Sequence, residues 1–270
     1  MSNTFSIKRF WSYLVHDIRS AVADSGLTLA IIGAMPVFQY FIAQAFSLIF
    51  SGHALVMGDW GKIPAYISAF AIALIFFPAK HYGPLTDKKT GSDYLMLPAS
   101  TLEKWCSMLI VTCLAVPVFL LAELALTDGL LSLVFSGTYG STAISGIVSV
   151  MGKIWSELQT PAGGIAISWP YALFLSWCEN VLVFTLGAIC FKKSKIGLTF
   201  LAYFILMMVI TMGTAGIMQA LNISNLQIEF ETITEEAVIR TLNLIMYAVY
   251  TVWFVVFDLL IYLRVKTLKH

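Results

Sequence analysis

From about residue 27 onward the chain reads as a series of long apolar runs separated by polar breaks. Six runs approach the length of about 20 residues that an α-helix needs to cross a hydrocarbon core. They cover roughly 27–50, 63–82, 105–126, 167–191, 196–219 and 241–263. The pattern predicts an all-α polytopic membrane protein with six transmembrane helices in one domain, 1–270. Residues 5–22 have a different rhythm. At 100° per residue, Phe10, Trp11, Leu14, Val15, Ile18, Ala21 and Val22 share one face, and Lys8, Arg9, Ser12, His16, Arg19 and Ser20 the other. A basic face opposite an aromatic one suits a helix lying in the membrane interface, or one packed on its own bundle. Asp24, Ser25 and Gly26 then predict a break before the first span. In the loop after the third span, Ile144, Ile147, Val148, Met151, Trp155 and Leu158 recur at helical spacing, predicting a second amphipathic helix over 142–158 on the outer face.

The longest polar interruption in the front half is 77–104. Gly83-Pro84 is a turn signal that ends the preceding helix. Lys88 and Lys89 follow, then Asp93 and an apolar shelf, Tyr94, Leu95, Met96 and Leu97, closed by Pro98. Ser100 and Glu103 have capping-box spacing: the Ser hydroxyl accepts from the N3 amide while the Glu reaches back to the Ser amide. Glu103 and Lys104 then lead into the third span. The shelf either dips into the interface beside the lysines or docks a partner on the cytoplasmic side.

Composition removes the soluble alternatives. At 59% hydrophobic and 11% charged residues, the chain is far from the roughly 45–50% and 25% of soluble domains. Net charge is only +1, but its placement is lopsided. Thirteen of the sixteen Lys and Arg fall on one side of a six-span topology; only Lys62, Lys153 and Arg240 fall on the other. The positive-inside rule therefore predicts both termini and the 83–104 link to be cytoplasmic. A seventh span within 129–158 would break this bias.

Candidate chemistry is sparse. No P-loop, zincin or nucleophile-elbow motif is present, so no catalytic, cofactor or metal site is expected, and nothing points to nucleic acid. Cys106, Cys113, Cys178 and Cys190 lie in apolar runs and read as small hydrophobes. Ionisable groups inside spans are costly and usually face a bundle interior or cavity. Glu179, beside Asn180, lies mid-span and is either part of a substrate path or an interhelical hydrogen-bonding group. Glu123 and Asp258 lie nearer span ends and read as carboxylates reaching the headgroups. Gln39 and Gln44 read as helix–helix glue.

The run Leu95-Met96-Leu97-Pro98-Ala99-Ser100-Thr101-Leu102-Glu103-Lys104, with six spans and an amphipathic helix before the first, resembles the type-2 ABC exporter permeases. The resemblance implies that 87–98 forms a coupling helix resting on a separate ATPase subunit that holds ATP and Mg, and that 5–22 is a connecting helix. It implies a dimer, with itself or with a sister permease, moving a lipid, peptide or small amphiphile. ATPase docking would fall to Lys88, Lys89, Asp93, Tyr94, Leu95, Met96, Leu97, Pro98, Ser100, Glu103 and Lys104, and the substrate path to Glu179 and Asn180. The competing class is a non-transporting membrane scaffold or accessory subunit. A secondary carrier fits less well, since the chain lacks repeated halves.

Overall fold

The computed structural model describes residues 5–87, 91, 96–146, 169–220 and 235–267. Among them every regular element is helical. We number the helices α1 (Ile7–Gly33), α2 (Met35–Ser51), α3 (Asp59–His81), α4 (Thr101–Ile110), α5 (Val116–Val134), α6 (Trp169–Cys190), α7 (Lys195–Ala220) and α8 (Glu235–Thr267). Five stretches are long and apolar enough to cross a membrane: Ile7–Ser51, Trp60–Thr86, Thr101–Val134, Lys195–Gly213 and Tyr247–Thr267. A sixth apolar helix, Phe174–Cys190, is shorter. The protein is thus an all-helical, multi-pass membrane protein.

The expected break at Asp24, Ser25 and Gly26 does not occur: α1 runs through all three. Ser25 is buried, and the Asp24 carboxylate is engaged by Ser20 and by His81 on α3. These tertiary contacts outweigh the modest helix-breaking preference of the triplet. The chain breaks instead at Ala34, two residues before Pro36, which lies in the first turn of α2. The full 45 residues of Ile7–Ser51 would extend about 67 Å as helix, about twice the thickness of a hydrocarbon core. The predicted apolar face of α1 divides. Leu14 and Ala21 pack into the core, whereas Trp11, Ile18 and Val22 stay exposed.

Prolines set the other irregularities. Pro117 has no N–H and crowds the carbonyl four residues back. The strain is relieved by a π-turn over Val111–Ala115, in which the Val116 amide bonds to the Val111 carbonyl, joining α4 to α5. Past Pro78, α3 ends at His81, and Gly83–Thr86 forms the expected turn as one 3₁₀ segment.

The core lies where α1, α3, α4–α5 and α8 close around α6. Val181, Leu182 and Ile189 of α6 are fully buried against Ala69 and Ala73 of α3 and Ile261 of α8. Two small residues allow close crossings. A side chain at Gly33 would collide with Glu123 of α5, and one at Gly187 with Thr199 of α7. Glu123 thus lies against the α1 backbone rather than reaching the headgroups, and Thr127 donates to the Gly33 carbonyl at 3.0 Å. Asp258 also turns inward and accepts from the Trp105 indole at 3.1 Å. Gln39 of α2 donates to the Gly61 carbonyl in the first turn of α3 at 2.6 Å, a helix-to-helix contact as expected, whereas Gln44 donates to the Leu55 carbonyl in the α2–α3 loop at 2.6 Å. Of the predicted 142–158 helix only 142–146 are described, with 143–146 helical; the remainder lies outside the described residues.

Candidate functional site

One end of the bundle collects the starts of α1 and α4, the end of α3, the α6–α7 turn and the end of α8. Lys195 ties the turn to the Gly83 carbonyl at 2.5 Å, and Arg264 of α8 donates to the Ile189 carbonyl at 3.0 Å. Arg9, Lys80, Lys195 and Arg264 thus share this basic end, as the charge count requires. The capping box is formed: Ser100 accepts from the Glu103 amide at 3.3 Å, and the Glu103 carboxylate accepts from the Ser100 amide at 2.7 Å.

The same carboxylate reaches further. Glu103 is fully buried and accepts from the Ser6 amide, which opens α1, at 2.8 Å. It also takes both arms of Arg9, Nε to Oε2 and a terminal nitrogen to Oε1, each at 2.8 Å. One carboxylate therefore caps two helices at once. Both helix dipoles place their positive ends on it, and the forked Arg geometry fixes its orientation. The beginnings of α1 and α4 are locked as a unit.

One turn further along α4, Ser107 donates to Asp17 of α1 at 2.6 Å. Asp17 is buried and also accepts from the Tyr82 hydroxyl at 3.3 Å. His81 stands between two carboxylates, with Nε2 3.3 Å from Asp17 and Nδ1 3.2 Å from Asp24. A neutral imidazole can donate to only one of them at a time. This second layer ties the end of α3 to the α1–α4 unit. Beside it opens a cleft of about 600 Å³, lined by Ser20, Asp24, Lys80, His81 and Leu97 among others. A volume of this size falls in the ordinary range for small-ligand sites.

The predicted site residues distribute unevenly over this geometry. Lys88, Lys89, Asp93, Tyr94 and Leu95 lie outside the described residues. Met96 is exposed, and Leu97 lines the cleft. Pro98 leads into the cap at Ser100. Glu103 and Lys104 are buried, so they face the bundle rather than a rim open to solvent. Glu179 is buried on α6, within electrostatic reach of Tyr203 on α7. Asn180 turns back on its own helix to the Ser176 carbonyl at 2.7 Å. Sequence reading missed Arg9, Asp17 and His81 as members of one network. Their partners are 57 to 94 positions away, and the only local signal was an acidic residue at position 17 among the apolar positions of an amphipathic helix.

A second polar cluster sits at the opposite end. Lys62, nearly fully buried, donates to the Ser141 carbonyl at 2.6 Å and lies 4.6 Å from the Tyr139 ring centre. Tyr139 donates to the buried Asp128 at 2.5 Å. Thr138 shares a hydrogen bond with Tyr40 at 2.6 Å, and its carbonyl accepts from the Met57 amide. The segment after α5 is thereby strapped across the ends of α2 and α3. Among the described residues no group of His, Cys, Asp and Glu is placed to hold a metal ion. No family model matches the chain, and neither a curated protein nor a solved structure matches it.

Proposed function

We propose that this chain is the membrane-spanning subunit of an ATP-driven exporter. In this reading it crosses the bacterial inner membrane six times, with the basic end and both termini in the cytoplasm. It works as a dimer with itself or with a sister permease. A separate ATPase, carrying ATP and Mg, docks on the link between α3 and α4. The cargo is a lipid, a peptide or a small amphiphile.

The observation that supports this is the Glu103 joint. A push on the link arrives at Pro98 and Ser100, and the capping box passes it into α4 without slack. Because Glu103 also holds Ser6 and Arg9, the same push moves the start of α1. Asp17, Ser107 and His81 then bring the end of α3 along. A loop anchored at a single point would let its motion dissipate in the loop; this one is coupled to three helices. The buried Glu179 carboxylate is the candidate group along the path, because an ionisable side chain among apolar helices is costly unless a cavity or partner receives it.

The test is purification of the intact protein in mild detergent, followed by reconstitution with the ATPase that co-purifies. Exchanging Leu95 and Leu97 for Asp should abolish stimulation of the ATPase while the permease still folds. Purification free of any ATPase, or, where one co-purifies, unchanged stimulation by the doubly exchanged chain, would overturn the reading and leave a scaffold.

A further inference from the structure

The cleft at the basic end combines features that the mechanical joint does not use. Lys80 is exposed at its edge and donates one hydrogen bond, to Thr28 at 2.7 Å. Among the described residues Lys80 makes no ion pair. Across the cleft, Asp24 uses only Oδ2, which accepts from Ser20 at 3.2 Å and faces His81. Its side chain is 53% exposed, and Oδ1 has no partner among the described residues. Lys80 and Asp24 line the same cavity without pairing with each other. An ammonium with hydrogens to spare and a carboxylate with a vacant oxygen, held apart, match a ligand carrying one negative and one positive group. A simple anion or a simple cation would satisfy only one of them.

What continues beneath the cleft identifies the kind of zwitterion. Ser20 and Asp24 are followed on the same face of α1 by Leu27 and Ile31, at the i+3 and i+4 steps that stack residues along a helix. Leu27 and Ile31 are 77% and 54% exposed. On α3, Phe76 lies one turn from Lys80 on the same face and is also exposed. A polar cleft above and an uncovered apolar strip below follow the profile of a lipid lying along the helix pair. Lys80, at the end of an apolar helix, sits where long basic side chains extend toward phosphates.

We propose that this cleft binds the headgroup of a zwitterionic phospholipid of the phosphoethanolamine type. Its phosphate sits on Lys80, its ammonium on Asp24, and its acyl chains run along Leu27, Ile31 and Phe76. The site is independent of any ATPase partner and would stand if the exporter reading fell. It is also placed so that occupancy bears on the joint, because Asp24 and His81 belong to both.

Native mass spectrometry of the purified protein would test it, with phosphatidylethanolamine and phosphatidylglycerol supplied at equal concentration. The wild-type chain should retain phosphatidylethanolamine in preference. Asp24→Asn keeps an acceptor for His81 but removes the charge, and should erase that preference, lowering phosphatidylethanolamine retention about fivefold, the scale of a partly screened ion pair. Lys80→Gln, at an exposed position, should weaken both lipids similarly, and thermal melts would confirm that both variants are folded. Equal retention of the two lipids by the wild type, or wild-type retention by both folded variants, would overturn the proposal. Displacement of the lipid by millimolar free phosphoethanolamine would also overturn it, in favour of a soluble zwitterion.

Discussion

The two ends of the bundle use the same chemical means to different ends. At the far end, Lys62, Asp128 and Tyr139 are all nearly or wholly buried, and their contacts close on one another and on the Ser141 carbonyl. At the basic end, Glu103 and Asp17 are equally buried, but Arg9 is part-exposed and Asp24 half-exposed beside a cleft. A network with every member dry resists change, because exchanging one member strands another in the low-dielectric interior. A network with one edge in water can exchange partners at smaller cost. The far end is built as a clasp and the basic end as a joint.

The sharpest way to break this contrast is at the clasp. Asp128→Ala leaves the buried Tyr139 hydroxyl without its acceptor and also removes the acceptor of the Ile144 amide; stranding buried donors costs about 1–3 kcal/mol each. Thermal melting in detergent should show a large fall or loss of the folded protein; a shift of a degree or less would mean the clasp is dispensable. Next is the close crossing at Gly33. Gly33→Leu drives a side chain into Glu123 and should cost about 1–3 kcal/mol through overpacking, again read by melting.

Glu103→Ala comes third. It removes the carboxylate half of the α4 capping box, leaving the Ser100 hydroxyl in place, at about 1 kcal/mol, and also releases α1, so proteolysis near residues 5–10 should accelerate markedly while the rest of the bundle stays protected. Unchanged cleavage would show that α1 is held by apolar packing alone. The smallest effect on stability is expected at Asp24→Asn, about 0.5 kcal/mol or less, because the side chain is half in water. A melting loss there as large as that of Asp128→Ala would erase the distinction between clasp and joint.

Legibility in the sequence followed the range of the interactions. The Ser100–Glu103 capping box could be read because its two bonds span three residues. The Gly83-Pro84 turn was equally local. Arg9 was read only as a polar-face charge, because its bond to Glu103 spans 94 positions. Lys62 was counted only by its side of the span topology, and its burial against Tyr139 and Ser141 was not legible there; a lysine pattern bears on which side a residue belongs to, not on whether it faces water. The triplet Asp24, Ser25 and Gly26 misled for the converse reason. Its local preference for a break is worth about 1 kcal/mol or less per residue, and partners on α3 outweigh it.

The sequence by itself determined that this chain is helical and membrane-embedded, because apolar runs of bilayer length leave backbone groups no partners but their own helix. It also determined where α4 starts, because capping is local chemistry. Only the tertiary structure decided that α1 continues unbroken to Gly33, that one buried carboxylate joins α1 to α4, and that Lys80 and Asp24 face a common cleft. Those outcomes depend on which helix faces lie against each other. That is settled by packing and by pairing of buried charge over long separations, for which a periodic apolar pattern carries no address.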